Sequence, residues 1–591
     1  MKKIIALVLA AMMILSMAAC TAKTEETTAS TSATSTTAAA ASASAASSSA
    51  GNAAETAQAA AEGSADSTGW QNVIYASAKG GNIDAVDYDT TATSTKDTLV
   101  VQIPTDPGTF DLTYQQTAQY TLTWVYNKLL TYRYDESGAV GAFVTPESLA
   151  TDYKVDDDGL GITFTLRQGV KFSNGYDFTA EDAKFSLQHA SSLSDLAVMD
   201  ADNIEVVDDY TIHVPLKHKD ANAVYDVGGI AQMHSYKYWQ ECGGEAGDAE
   251  FCSTKAVGTG PYMLKEWNSG DSIVLVANPY YFNDEPIIKN VILRVISDPS
   301  VAFMALQNGE IDWMTDTSCN WTDVSTVVDG SVDGITDYVE YSTTCHTLIE
   351  DCSEGSPLAD LNVRKAVAYA INREDIATYV YEGAGYCTNS IVSMSSPGTV
   401  EYDPWPYEYS PDKAKECLAA AGYAPGELSL NIVIGAGDTL RGSAAELMIS
   451  TFAECGINLE IKYVDIAAVA DTLVNQPQEW DLALKGTSNG NYTEPYAATF
   501  FSDAGVLSVQ CHPQNDPAYA KMVELAKQMN EATSDEERNN VWKQLQDYYL
   551  SDCMYSYKIV SVVGHNLISS HLKNYSKTYY YNFDVAHAYF D

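Results

Sequence analysis

The chain is 591 residues long and carries 33 Lys and Arg against 79 Asp and Glu, a formal net charge of −46. A field of that sign repels phosphate backbones and anionic headgroups, which excludes nucleic acid as a partner and otherwise reads as a solvated acidic surface. About 520 residues follow a low-complexity N-terminal stretch, too many for one core, so two or three lobes are predicted.

Lys2 and Lys3 precede an apolar run from Ile4 to Ala19 that is short for a bilayer span and has the form of a secretory leader over residues 1–19. Ser16-Met17-Ala18-Ala19-Cys20 sets small residues ahead of a cysteine and resembles a bacterial lipoprotein processing site, with Cys20 as the lipidated N-terminus. Between Cys20 and residue 68, Ser, Thr, Ala and Glu dominate, a composition that cannot offset chain entropy by burial. Residues 20–68 are therefore predicted to be an anchored, disordered tether with a reach of roughly 35–40 Å. No later segment is apolar enough for a membrane helix.

From Ala150 to Leu187 the pattern is fuller. Ile162, Phe164 and Leu166 alternate with Thr163, Thr165 and Arg167, the period of a half-buried strand, and the acidic turn Asp156 to Gly161 before them predicts a hairpin. After breaks at Gly169 and Asn174-Gly175, Thr179 is placed to N-cap a helix with Glu181 and Asp182 in its first turn. Phe185 and His189 on that helix are candidate ligand contacts, His189 being either turned to a cleft or merely exposed.

Ten cysteines remain after Cys20, an even number that permits disulfides in an exported protein. Cys242 with Cys252, and Cys345 with Cys352, are candidate local pairs; Cys417 and Cys455 either form a third or lie buried as small apolar residues. None has the CxxC spacing of a zinc site and no neighbouring histidine completes one, so no metal or cofactor is expected. Catalytic signatures are missing as well: there is no GxSxG, HExxH or Walker loop, and Gly435, Gly437 and Gly442 lack dinucleotide-loop spacing. The acidic runs Asp156-Asp157-Asp158 and Asp208-Asp209 read as turns.

Further motifs follow in order. Val257-Gly258-Thr259-Gly260-Pro261-Tyr262 leads to Asn278-Pro279-Tyr280-Tyr281-Phe282; then come Ala305 to Asp312, Leu361 to Arg373, and Tyr409 to Lys415. In the last of these Ser410 is a good N-cap, Pro411 suits the first helical position, and Gly422 sits just past the helix end. In this order, across about residues 97 to 590, the series resembles the family 5 extracytoplasmic solute-binding proteins, the oligopeptide- and dipeptide-binding components of ABC importers.

That resemblance implies an α/β, type II periplasmic-binding-protein fold with three lobes: lobe I from 69–136, 258–343 and 556–591, an inserted lobe II over 137–257, and lobe III over 344–555. Lobes I and III would close on a solute by a hinge, and the monomer would dock on an ABC permease driven by separate ATPase subunits. In relatives a strand like Trp480 to Leu484 runs into a loop whose tryptophan covers the ligand and whose aspartate pairs with a peptide's α-ammonium group. Here the loop, Gly486 to Pro495, is one residue longer; Thr487 stands for the tryptophan and Asn491 for the aspartate. Losing that carboxylate removes a charged hydrogen bond of about 1.5–3 kcal/mol, roughly ten- to a hundredfold in affinity for a free amine. Thr487, Ser488, Asn489, Asn491 and Tyr492 are thus candidate contacts for either a peptide or an oligosaccharide, whose hydroxyls want amides and whose ring faces want aromatics. A solute sensor of the same fold and, remotely, a secreted hydrolase are the alternative functions.

Overall fold

The computed structural model describes residues 92–591, except 112, 114–123, 135–139, 194–195, 221, 244–254, 316–317, 383–384, 395–397, 489–498, 504, 533–534 and 580–581. Leader, Cys20 and tether lie outside the described residues, as do Cys252, Asn489, Asn491 and Tyr492. The chain divides into two units, Met1–Gly69 and Trp70–Asp591; all that follows concerns the second.

Eleven strands form its main sheet. They are β1 (Thr98–Ile103), β2 (Tyr262–Asn268), β3 (Ser272–Ala277), β4 (Asn290–Val295), β5 (Trp313–Met314), β6 (Ile335–Glu350), β7 (Gly385–Tyr386), β8 (Leu428–Gly435), β9 (Ile457–Val464), β10 (Leu482–Ser488) and β11 (Ser556–Ser569). Their order is β9-β8-β10-β6-β11-β5-β1-β4-β3-β2, with β7 beside β11. β1 runs parallel to β4 and β5, and β8 runs parallel to β9 and β10.

Between these two parallel groups lies the long antiparallel pair β6 and β11. β5 attaches near one end of the pair, at Ile568 and Leu567 of β11, whereas β10 attaches to the far half of β6, from Thr344 to Glu350. The β6–β11 register shifts between Tyr341 and Cys345 and again between His346 and Thr347, so irregular backbone begins just before the β10 attachment and runs into it. A separate four-stranded antiparallel sheet contains Ala150–Val155 and Gly161–Leu166. Ile162, Phe164 and Leu166 are buried there as the alternation predicts, and Asp156 N–H closes the turn on Gly161 O at 3.0 Å.

Helix α1 (Ala180–Ala190) begins where expected, capped at Thr179. The cap is made by the acid: Asp182 Oδ2 accepts from the Thr179 amide (2.9 Å) and hydroxyl (3.0 Å), and its Oδ1 accepts from Tyr236 N–H (2.9 Å) at the start of α2 (Tyr236–Glu241). Close backbone approach explains the Gly258 to Tyr262 motif. A Cβ on Gly258 would stand 2.0 Å from Val125 O, and one on Gly260 2.5 Å from Trp124 O. Asn278 stitches the second half of the motif to the first, donating from Nδ2 to Gly260 O at 2.8 Å and accepting from Tyr280 N–H at 2.9 Å.

The other motifs are similarly structural. Asp312 accepts from Lys96 Nζ and Val100 N–H. In α3 (Leu361–Ala370) the fully buried Arg364 donates to Leu358 O, Ala359 O and Asp516. Arg373 lies over Trp405, 4.7 Å from its ring centre. Ser410 caps α4 (Pro411–Ala420), accepting from Lys413 N–H, with Pro411 at its first position and Gly422 at φ +90° beyond its end.

The cysteine pairings need correction. Cys345 and Cys352 are both buried and not bonded to each other, the first in the sheet 3.8 Å from Ser561 Oγ and the second donating to Glu350 O. Extended backbone from Cys345 to Glu350 carries them about 20 Å apart, where a disulfide needs Cα atoms within about 7 Å. Cys417 and Cys455 are free too, with Cys455 in the apolar core, and Cys242 is free and half-buried.

Candidate functional site

In open α/β sheets, ligands bind outside the carboxyl ends of parallel strands. β8 and β10 end at Gly435 and Ser488, and α5 (Thr439–Glu454) starts just beyond β8, capped by Asp438, which accepts from Arg441 N–H at 3.1 Å. The Arg441 guanidinium also bonds the Asp438 carboxylate and reaches to 3.4 Å of His346 Nε2 on β6. His346 Nδ1 bonds the Tyr381 hydroxyl. Burial, with the Arg441 cation, pulls His346 down to about 3, so the ring is neutral at ordinary pH. Gly486 on β10 leaves room for this group; a Cβ there would lie 3.3 Å from Arg441 Nη2.

Next to it, Lys558 of β11 is buried, and its ammonium donates to Thr388 Oγ1, Ser390 Oγ and Val392 O. Three acceptors satisfy its three protons, while burial lowers it to about 8. At the carboxyl ends of the other group, Gln102 of β1 donates to Ile296 O and Ser318 Oγ, both at 2.7 Å. Polar side chains, most of them hydrogen-bonded to one another, therefore stand at the ends of both parallel groups.

Of the residues singled out in the sequence, Thr487 lies in β10 with its hydroxyl 2.7 Å from Thr347 Oγ1, buried within the sheet, and Ser488 is the last residue of β10, paired with Thr344. Phe185 and His189 come together elsewhere, on α1. Phe185 stacks on Tyr236 at 4.9 Å and packs against Trp239 at 5.3 Å. His189 is not exposed: its side chain is 3% exposed and its Nε2 lies 2.6 Å from Asp111 Oδ2. The helix pattern alone hid this, because the partner is 78 residues upstream.

His234 Nε2 stands 4.0 Å from the same Asp111 oxygen. Burial alone would raise the Asp111 carboxyl, but the two imidazoles hold it well below the usual range; burial draws His234 down to about 4. Asp111, His189 and His234 offer ligand atoms within 4.8 Å of one another, a cluster no local spacing announced. Apart from these groups, a recess of about 620 Å³, open to solvent, is lined by Trp124, Lys128, Tyr132, Tyr281 and Phe583 among others. Among the described residues no helix is long and apolar enough to cross a membrane.

Residues 146–506 match the family model described as Bacterial extracellular solute-binding proteins, family 5 Middle. Heme-binding protein A of Haemophilus influenzae is 27% identical over 361 residues, 56% of this chain and 63% of that protein. Oligopeptide-binding protein AppA of Bacillus subtilis is 25% identical over 380 residues, 59% of this chain and 66% of that protein. Both alignments span less than two thirds of the relative's length. The crystal structure of the ABC transporter substrate binding protein CtaP from Listeria monocytogenes shares the fold, with a TM-score of 0.70 at 18% identity over 84% of this chain and 99% of that one.

Proposed function

This chain belongs to the family 5 bacterial extracellular solute-binding proteins, and we propose that it is an extracytoplasmic member, anchored through lipid on Cys20, that encloses a polar solute and delivers it to an ABC permease. The supporting observation is the sheet. Two groups of parallel strands, each ending in polar side chains, are connected in the sheet by β6 and β11, whose mutual register is broken where β10 begins to attach. A pair of crossing strands with irregular pairing is suited to act as a hinge. The body around β1 to β5 would serve as lobe I and that around β8 to β10 as lobe III, with the inserted lobe at 137–257. The protein works as a monomer and hydrolyses nothing itself.

The solute is assigned by chemistry. Relatives bear the names of oligopeptide and heme binders, and the loop from Gly486 to Pro495 offers amides, hydroxyls and Tyr492 with Asn491 in place of a carboxylate. An oligopeptide-like solute not anchored by a free α-ammonium group fits that loop; its Asn, Ser and Thr content favours an oligosaccharide as the second reading. Native mass spectrometry of protein purified without denaturation identifies a retained solute, and small-angle scattering follows closure as that solute is added back. No compaction with any member of a broad peptide and glycan library overturns the reading. Asn491→Asp should strengthen free-amine peptides by roughly ten- to a hundredfold; unchanged affinity for every ligand removes Asn491 from the cleft.

A further inference from the structure

We propose that Asp111, His189 and His234 form a zinc site, separate from the solute cleft, that clips the segment following β1 to α1 and to the start of α2. The three side chains come from distant parts of the chain, yet all are buried, at 1%, 3% and 5% exposure. Both Nε2 atoms face one carboxylate oxygen, His189 at 2.6 Å and His234 at 4.0 Å. Tetrahedral zinc with bonds of about 2.0–2.2 Å sets its ligand atoms roughly 3.2–3.6 Å apart. The existing separations straddle that range, and side-chain shifts of about 1 Å bring them into it.

The scaffold is rigid where the ligands need it. Ser186 Oγ, one turn before His189 on α1, accepts from His234 N–H at 2.8 Å, and Ser235 beyond it caps α2. The backbone of His234 is thus fixed against the α1 face that carries His189 before any ion arrives, the arrangement a preorganised site requires. Trp239 packs on both rings, at 5.0 Å from His189 and 5.6 Å from His234.

What separates this cluster from an ordinary buried ion pair is His234. Among the described residues its ring makes no hydrogen bond, and its Nε2 stands 4.0 Å from the Asp111 oxygen. A ring with no side-chain hydrogen bond to give up can turn a nitrogen to an ion without first losing a partner. A small pocket lined by Tyr126, Ser235, Tyr238, Trp239 and Lys255 reaches His234, giving an ion an approach and a water the fourth position. Two imidazoles and a carboxylate with one open position are a donor set zinc uses; with no thiolate and so few oxygens, calcium and magnesium are disfavoured.

The test uses the full chain, freed of metal with a chelator and titrated with zinc chloride by calorimetry. One Zn²⁺ per chain with micromolar or tighter affinity is expected, together with a higher melting temperature for the loaded protein. His234→Ala should weaken uptake by more than ~10-fold, while His571→Ala, at a largely exposed histidine on the C-terminal segment, should leave it unchanged. Because His234→Ala could disturb folding, Co²⁺ added to the unaltered chain supplies an independent readout: visible d–d bands of low-symmetry nitrogen and oxygen coordination, bleached by one equivalent of Zn²⁺. Failure of the unaltered chain to bind at ~100 μM zinc, equal uptake by His234→Ala, or a Co²⁺ spectrum of the hexa-aquo ion overturns the site.

Discussion

Asn278 does the work of a backbone bridge with one side chain, and its removal tests how much the Gly258 to Phe282 motif depends on it. Asn278→Ala leaves Gly260 O and Tyr280 N–H without their partners at a buried position. A loss of about 2–4 kcal/mol is expected, read as a lower urea midpoint with unchanged slope. Glu350 is perturbed upward. Burial raises it to about 8, against the pull of the Arg364 cation, and its Oε2 has no hydrogen-bond partner. Its folded pKa lies above its unfolded one, so between about pH 4.3 and 8 the unfolded chain releases a proton that the folded chain keeps. Stability from this group therefore falls as pH rises through that window and is level beyond it. Glu350→Gln should melt higher than the unaltered chain, with a difference that grows from pH 5 to pH 8; a constant difference refutes the assignment. His346, with its pKa lowered to about 3, has the reverse sign, its contribution being lost as pH falls from about 6.5 towards 3.

Helix α1 shows what a sequence carries locally and what it does not. Asp182 secures both the cap at Thr179 and the start of α2 through Tyr236, so Asp182→Ala should cost about 2–4 kcal/mol and speed hydrogen exchange of the first-turn amides. Smaller losses would mean that the packed face, not the cap, holds the helix. The cap, the buried alternation of Ile162, Phe164 and Leu166, and the Ser410 start of α4 were legible because each is settled within a few residues. The face carrying His189 was not, since its burial is decided by Asp111 and Trp239. Nor was the separation of Cys345 from Cys352, which follows from β6 continuing as one strand through Glu350. The motifs that carried the family resemblance turn out to be close contacts and buried hydrogen bonds. The solute chemistry proposed above rests instead on the loop after β10, most of which lies outside the described residues, so the fold was readable while the ligand was not.

The chain passes from the β1 to β5 group into the β8 to β10 group along β6 and comes back along β11, so relative motion of the two groups must be absorbed by those strands. Regular antiparallel pairing resists bending because each residue exchanges hydrogen bonds with its partner. The β6–β11 ladder lacks that regularity between Tyr341 and Thr347, opposite Lys558 to Val563. Below and above the break the pairing is regular, from Ile335 to Tyr341 and from Thr347 to Ile349. Solute-driven closure should accordingly change amide exchange in Tyr341–Thr347 and Lys558–Val563, and leave the β8–β9 and β1–β4 ladders, which lie wholly inside one group, as they were. Exchange mass spectrometry on the full chain, with and without the solute recovered by native mass spectrometry, reads this directly. Protection spread evenly over all ladders would mean that binding stiffens the protein as a whole, and protection confined to the loop after β10 would mean capture without closure; either result removes the hinge from the mechanism.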